Sequence, residues 1–324
     1  MITDSFGRHL AYLRISLTDR CNFRCLYCLP PEGVSLVPRE ELLTLEEIER
    51  LSRIFVSLGV TKIRLTGGEP LLRKRVVSLV AALSGIEGLI HLTMTTNGSL
   101  LAPLAGDLKE AGLGSINISL DSLSRIRFAR ITRSDHWHEV MYGITQALSA
   151  GLAVKINVVA VSDLSREEVL NFCALARGYP VEVRFLEFMP LCGSGWNNEL
   201  RLPMQKLKRW VMEALPLREG ARGDDVAETY TVEGFEGRIG FIASISSPFC
   251  GRCSRLRLTS TGGLRPCLFS DLETDLKTPL RSCASDDELA ALIRRAAWGK
   301  PKGHEEFLGR MRDGDLPKIR LLGG

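Results

Sequence analysis

Strand-like and helix-like runs alternate through the first two thirds of the chain, and one face of the strands is polar. The strand runs are Tyr12–Thr18, Lys62–Thr66, His91–Thr96, Ser115–Asp121, Val154–Val161 and Val181–Met189. Helical periodicity fills Leu45–Leu58, Arg75–Leu83, Leu101–Ala111, Trp137–Ala150 and Arg166–Arg177. This repetition predicts a parallel sheet with helices outside it, either open and doubly wound or curled into a barrel. Side chains alternate between faces along a strand. Lys62, Arg64 and Thr66 therefore share a face, as do Thr93, Thr95 and Asn97, then Asn117, Ser119 and Asp121, then Lys155 and Asn157. The opposite face holds Ile63, Leu65, Leu92, Met94, Ile116 and Ile118. A sheet covered by helices on both sides reads apolar on both faces. One polar, partly cationic face instead predicts a partial (β/α)6 TIM-type barrel around a charged chamber. Barrel enzymes work at the C-terminal ends of their strands.

After Leu215 the pattern changes to short β-like pieces, Thr229–Val232 and Arg238–Ile245, and helical periodicity returns at Asp286–Ala297. The expected organisation is α/β: a partial barrel over residues 1–215 and a C-terminal α+β extension over 216–324. The net charge of +4 is too small for a nucleic-acid footprint over the whole surface. No run of ~18 apolar residues suits a membrane span, and Met1–Leu10 lacks the apolar segment of a secretory signal. A cytoplasmic, reducing location is the expectation.

Nine cysteines are many for such a location. Six are grouped, as Cys21, Cys25 and Cys28, then Cys250, Cys253 and Cys267; Cys173, Cys192 and Cys283 stand alone and read as inert thiols. Grouped cysteines in a reducing compartment point to metal before disulfide. The first group, C-x3-C-x2-C, follows the first strand directly. Three thiolates can hold three irons of a four-iron cluster and leave one iron open for chemistry. Structural zinc usually has four ligands in paired C-x2-C groups, and no fourth candidate lies near. The second group has C-x2-C-x13-C spacing. It reads as a second three-cysteine cluster, or as zinc completed by His304 or Cys283.

The first group, with Tyr27 before its last cysteine and Thr66-Gly67-Gly68-Glu69-Pro70 closing the second strand, resembles the radical S-adenosylmethionine (SAM) family. The resemblance implies a 4Fe-4S cluster on Cys21, Cys25 and Cys28, whose open iron chelates SAM and cleaves it to a 5′-deoxyadenosyl radical. It implies SAM contacts from Tyr27, Gly68, Glu69, Ser119 and Met189, with Glu69 accepting from the SAM ammonium. The second group, with Arg255-Leu256-Arg257 just after Cys253, resembles the GTP 3′,8-cyclases within that family. The likeness runs from Phe6-Gly7-Arg8 to the terminal Gly-Gly. It implies a second 4Fe-4S cluster on Cys250, Cys253 and Cys267 that meets the guanine, and GTP contacts from Arg14, Lys62, Arg64, Thr95, Lys155, Arg255, Leu256 and Arg257. Arg184 is a further neighbour in an uncertain strand phase. No G-x4-G-K-[ST] phosphate loop occurs, so side chains must hold the phosphates. No protein acid or base is required for the radical step. The implied partners are GTP, a reductant and a downstream cyclic pyranopterin monophosphate synthase, with a homodimer as one assembly state and no nucleic acid or membrane. The tail Gly323-Gly324 is implied to reach the active site. The rival readings are another radical SAM enzyme with an auxiliary cluster, such as a peptide-modifying one, and a non-catalytic iron–sulfur electron carrier.

Overall fold

The computed structural model describes residues 1–28, 35–189, 198–220 and 226–304. Cys192 and the terminal Gly323-Gly324 lie outside the described residues. The strands in chain order are β1 (Tyr12–Ser16), β2 (Lys62–Thr66), β3 (His91–Thr96), β4 (Ser115–Ser119), β5 (Ala153–Ala160), β6 (Glu182–Glu187), β7 (Arg218–Glu219), β8 (Glu228–Thr231), β9 (Arg238–Ile242), β10 (Arg255–Leu258), β11 (Gly263–Arg265) and β12 (Thr274–Asp275). The helices are α1 (Leu45–Ser57), α2 (Val76–Ser84), α3 (Ala105–Glu110), α4 (Arg125–Thr132), α5 (Trp137–Ser149), α6 (Arg166–Gly178), α7 (Met204–Ala214), α8 (Lys277–Arg281) and α9 (Asp286–Trp298). No helix among the described residues is long and apolar enough to cross a membrane.

All strands join one sheet in the order β12-β11-β10-β1-β2-β3-β4-β5-β6-β9-β8-β7. From β10 to β9 the neighbours are parallel. The outer pieces β11–β12 and β8–β7 are antiparallel. Among the described residues nothing pairs β9 with β10, so the sheet is an open arc, the partial barrel expected from the polar strand face. The C-terminal strands are not stacked on the barrel as a separate layer. They lengthen it at both ends, β10 beside β1 and β9 beside β6.

The convex face is the core. Leu13, Ile15, Ile63, Leu65, Ile116, Ile118, Ile156 and Val183 are each at most 1% exposed against the helices. Helix starts are locally specified. Thr44 and Glu47 form a reciprocal capping box on α1, and Ser285 with Glu288 does the same on α9, satisfying backbone N–H groups that a helix leaves orphaned. α1 then buries Ile48, Leu51 and Phe55 at helical spacing.

Candidate active site

The concave face encloses a cavity of about 1000 Å³, the upper end of the range of about 300–1,000 Å³ that holds a single small ligand. Both cysteine groups border it. So do Arg14, Lys62, Arg64, Thr95, Arg255 and Arg257 of the expected GTP set, and Tyr27, Gly68, Ser119 and Met189 of the expected SAM set. Arg184 also lines it, which fixes its strand phase.

The first cysteine loop is held by backbone contacts. Arg24 N donates to Thr132 O at 3.0 Å and Leu26 N to Ile131 O at 2.9 Å, which hangs the loop on the end of α4. The Gly-Gly turn packs against its entry: Gly68 N donates to Thr18 O and Glu69 N to Arg20 O, each at 2.7 Å. A Cβ on Gly68 would stand 2.2 Å from the carbonyl oxygen of Arg20, so glycine is obligatory there. Asn97 Nδ2 donates to Asn22 Oδ1 at 2.8 Å and lies 3.9 Å from Cys21 Sγ. Tyr27 donates its hydroxyl to Asp121 Oδ2 at 2.5 Å, and Asp121 Oδ1 accepts from Val159 N at 2.8 Å. These contacts fix the aromatic side chain that precedes Cys28.

Glu69 was expected to accept from the SAM ammonium, and its carboxylate is held by the chain itself. It is fully buried and absent from the cavity wall. Its Oε1 accepts from Leu71 N at 3.0 Å and Thr96 Oγ1 at 2.7 Å, and its Oε2 from Asn97 N at 2.7 Å. Three of a carboxylate's roughly four acceptor positions are thus taken by the chain. Burial lifts its carboxyl to about 7 against those hydrogen bonds. The carboxylate ties the turn to the end of β3, and the turn's glycines are what face the cavity.

Two residues of the expected GTP set, Leu256 and Lys155, are also absent from the cavity wall. Leu256 is fully buried in the convex core, because alternation on β10 sends Arg255 and Arg257 inward and Leu256 and Leu258 outward. Only its backbone is left to reach a ligand. Lys155 is not on the cavity wall and pairs with Glu182 at 3.3 Å, a carboxylate that also takes Arg184 Nε at 2.5 Å.

The cation arrangement follows from strand register. Arg257 of β10 lies opposite Arg14 of β1, which lies opposite Arg64 of β2. The adjacent rank is Arg255, Tyr12 and Lys62. Like charges directly opposite on neighbouring strands are destabilising. Burial, then Arg257, Arg64 and Arg255, hold Arg14 well below the ordinary arginine value, with Tyr12 working the other way. Burial and Arg255 bring Arg257 down to about 10. Arg64 donates to Tyr12 Oη at 2.5 Å and Thr95 Oγ1 at 3.0 Å. Burial raises the Tyr12 phenol, but Arg64, Arg14, Lys62 and Arg255 outweigh it and bring it to about 8. Among the described residues, eight lysines and arginines line the cavity against two carboxylates, Asp121 and Glu187. Glu187 is already used by the backbone N–H groups of Ile245 and Ser246, both at 2.8 Å. Among the described residues, three polar atoms on this face, Arg14 Nε, Asn117 Oδ1 and Asn157 Oδ1, are buried without a hydrogen-bond partner. Arg14 Nε is an unspent donor, the two asparagine oxygens are unspent acceptors, and the excess of cations over carboxylates prepares the site for a polyanion.

Known proteins share both halves of this arrangement. The family model described as Radical SAM superfamily matches residues 15–176. The model described as Molybdenum Cofactor Synthesis C matches residues 181–306. GTP 3′,8-cyclase of Moorella thermoacetica is 46% identical over 304 residues, covering 93% of this chain and 94% of that protein. The chain belongs to the GTP 3′,8-cyclase family of radical SAM proteins. Molybdenum cofactor biosynthesis protein 1 of Bos taurus is 47% identical over 327 residues, 99% of this chain and 51% of that protein. The chain therefore spans about half the length of such animal relatives. SuiB of Streptococcus suis, solved with its precursor peptide SuiA, matches at a TM-score of 0.66 and 15% identity over 98% of this chain and 76% of that one, a likeness of fold.

The family's iron–sulfur clusters and SAM fit the residues present. In the first group, burial and then the neighbouring Cys28, Asp121 and Cys21 push the Cys25 thiol well above its usual value; burial also raises Cys21. Thiols so placed become thiolates when a metal binds and deprotonates them. In the second group, burial acts upward on Cys253 too, but Arg255 and Lys300 bring it down to about 6. Among the described residues no three His, Cys, Asp or Glu side chains converge on one point as a single ion requires. Of the two side chains named for a zinc fourth ligand, Cys283 is exposed and off the cavity wall, while His304 Nδ1 lies 3.2 Å from Cys250 Sγ. Tyr12, Asn117, Asn157 and Lys300 are among the wall residues that were not named as site residues from sequence. Tyr12 was within reach, because it lies two residues before Arg14 on the same strand face.

Proposed function

We propose that the chain cyclises GTP by joining C3′ of the ribose to C8 of guanine. The product is 3′,8-cyclo-7,8-dihydro-GTP, the first intermediate of molybdenum cofactor synthesis. The observation that carries this reading is the Arg257–Arg14–Arg64 rank across three parallel strands, inside a cavity bordered by two three-cysteine groups. A peptide or a neutral substrate would leave that rank uncompensated. A triphosphate matches it, since arginine forks take phosphate oxygens two at a time.

When bound, SAM and the first cluster would supply the radical chemistry needed to activate C3′, and the second cluster would supply an iron able to bind the base. The product is an isomer of GTP, because the hydrogen atom removed is balanced by an electron and a proton returned to the ring. The chain's own residues bind, orient and exclude water. Arg14, Arg64 and Arg257 hold the phosphates. Thr95 Oγ1 supports the Arg64 guanidinium at 3.0 Å. Gly67 and Gly68 let SAM approach the turn, Ser119 and Met189 border its pocket, and Tyr27 is kept in place by Asp121. Cys21, Cys25 and Cys28 hold the first cluster, and Cys250, Cys253 and Cys267 the second. An external reductant and a synthase that rearranges the product to cyclic pyranopterin monophosphate complete the sequence.

The test is anaerobic. The protein is reconstituted with iron and sulfide and given SAM, dithionite and GTP. Formation of 5′-deoxyadenosine together with a cyclised GTP product is expected. SAM cleavage without any change to GTP would assign the chain to another radical SAM reaction.

A further inference from the structure

Lys300, just after α9, is a buried ammonium, 3% exposed, that the proposed reaction does not use. Its Nζ donates to Arg255 O at 2.8 Å and to Pro266 O at 2.5 Å. Those two carbonyls stand at the open end of the β10–β11 hairpin, whose register pairs Arg257 with Arg265 and Leu258 with Leu264. Cys253 lies two residues before Arg255, and Cys267 directly follows Pro266. The hairpin is what returns Cys267 to the neighbourhood of Cys253, and Lys300 holds its mouth. Two of the three ammonium donors are spent on these carbonyls.

The rest of this short segment reaches the remaining cysteine. Arg8, paired with Asp4 at 2.6 Å, donates through Nη1 to Cys250 O at 2.7 Å and Lys302 O at 2.9 Å, and through Nη2 to Pro301 O at 2.5 Å. His304 Nδ1 is 3.2 Å from Cys250 Sγ, with its ring against Phe269 at 5.2 Å between centroids. Residues 300–304 and Arg8 therefore form a strap that touches the flank of each cysteine of the second group. Burying an ammonium is costly even after the surroundings relax. Two carbonyl hydrogen bonds do not explain retaining a full charge there. The neighbouring cysteines supply the missing support: burial, with Arg255 and Arg8, lowers the Lys300 pKa, and Cys253 and Cys267 oppose that fall.

We propose that Lys300 is a positioning residue for the second cluster: it fixes the Cys253 and Cys267 arms relative to each other and sets a positive charge beside their thiolates. The inference rests on the reading that Cys250, Cys253 and Cys267 hold a cluster. A fixed positive charge stabilises the more negative, reduced state, so it raises the cluster's reduction potential. Strap and charge are separable. Lys300→Gln keeps donors of nearly the same reach without the charge, Lys300→Met removes both, and Lys300→Arg keeps both.

The experiment uses the full chain in a Cys25→Ala background, so that the spectrum reports the second cluster alone. Iron and sulfide content, the electron paramagnetic resonance signal and the midpoint potential are read for Lys300 and its three variants. Lys300→Gln is expected to keep the cluster with its potential shifted negative. Lys300→Met should lose cluster occupancy, and Lys300→Arg should restore the wild-type potential and signal. An unchanged potential in Lys300→Gln overturns the charge role, and unchanged occupancy in Lys300→Met overturns the strap. If Lys300→Met does not fold, Lys300→Gln against Lys300→Arg decides. If the Cys25→Ala protein with Lys300 intact assembles no cluster, the reading of the second cysteine group is what fails.

Discussion

Replacing Arg257 by alanine separates a phosphate contact from a merely buried charge. Arg257 is 4% exposed, in register with Arg14, and burial and Arg255 bring its pKa from 12.5 to about 10. At 1.36 kcal/mol per unit that shift is roughly 3 kcal/mol of strain on the charged form in the ligand-free protein, an upper figure because water relaxes part of it. A bound triphosphate relieves this strain and adds charge-assisted hydrogen bonds worth about 1.5–3 kcal/mol. Both effects act in one direction, so Arg257→Ala is expected to weaken GTP binding by about 10- to 150-fold on the hydrogen bonds alone. Arg255 differs. It stacks over Phe249 at 4.6 Å, and Cys253 supports its charge against burial. Arg255→Ala should therefore damage the second cluster as well as GTP binding, whereas Arg257→Ala, whose guanidinium feels Cys267 and Cys253 only through their charge, should keep cluster occupancy.

The assay is anaerobic equilibrium binding to cluster-loaded protein with GTP and with guanosine, which has no phosphates. Arg257→Ala should cost GTP far more than guanosine. Equal losses for the two ligands would refute the phosphate role and move Arg257 to the base or to the fold. The same variant should raise the thermal midpoint of the ligand-free protein, because relief of crowding on Arg14 and Arg255 outweighs the packing of the guanidinium stem. A lower midpoint would show that the rank is not strained.

Further outcomes follow from the site. Cys25→Ala should abolish SAM cleavage and remove about half the iron, whereas Cys267→Ala should keep the first cluster and uncoupled SAM cleavage yet lose cyclisation, each read by iron analysis and product chromatography. The Tyr12 phenol, brought to about 8, is neutral below that pH and anionic above it. A polyanion favours the neutral form, so GTP affinity should fall as pH rises through 8, by up to about tenfold per pH unit; titration of Tyr12→Phe should lose this fall, and its persistence there would acquit Tyr12. Glu69→Ala orphans three buried donors at about 1–3 kcal/mol each, so the thermal midpoint should drop by many degrees. Loss of SAM affinity at unchanged stability would return the carboxylate to the ligand. Gly68→Ala should empty the first cluster site while the second stays loaded, because its Cβ collides with the Arg20 backbone.

Features set by local pattern were legible in the sequence. The β–α alternation predicted β2 and β3 to the residue and the other barrel strands to within two. Both cysteine groups, recognisable by their spacing, border the cavity. Features set by long-range pairing were not legible. Nothing near Arg255 in sequence says that β10 will lie beside β1 and pair Tyr12 with Arg255. The arginine rank therefore emerges only in three dimensions. α4 was missed because its eight residues, rich in arginine, carry little apolar periodicity. The hydrogen-bond partners of Glu69 were not legible because a glycine turn does not reveal which way its carboxylate points. Lys300 was invisible because its partners are backbone carbonyls, which leave no trace in side-chain pattern.

The register that crowds the arginines is enforced by the opposite face of the same strand. A slip of one residue between β10 and β1 would send Leu256 and Leu258 into the cavity and Arg255 and Arg257 into the core. Leu256 and Leu258 are fully buried against a core that includes Leu13 and Ile15. Burying two leucines contributes about 3–6 kcal/mol, comparable to or larger than the roughly 3 kcal/mol of strain on Arg257 that follows from its lowered pKa. The apolar face thus holds the cationic face in a conformation it would not adopt alone. Because that hold lies in the convex core, away from the cavity, the arginines can remain strained until an anion arrives, and the strain is released on binding instead of during folding.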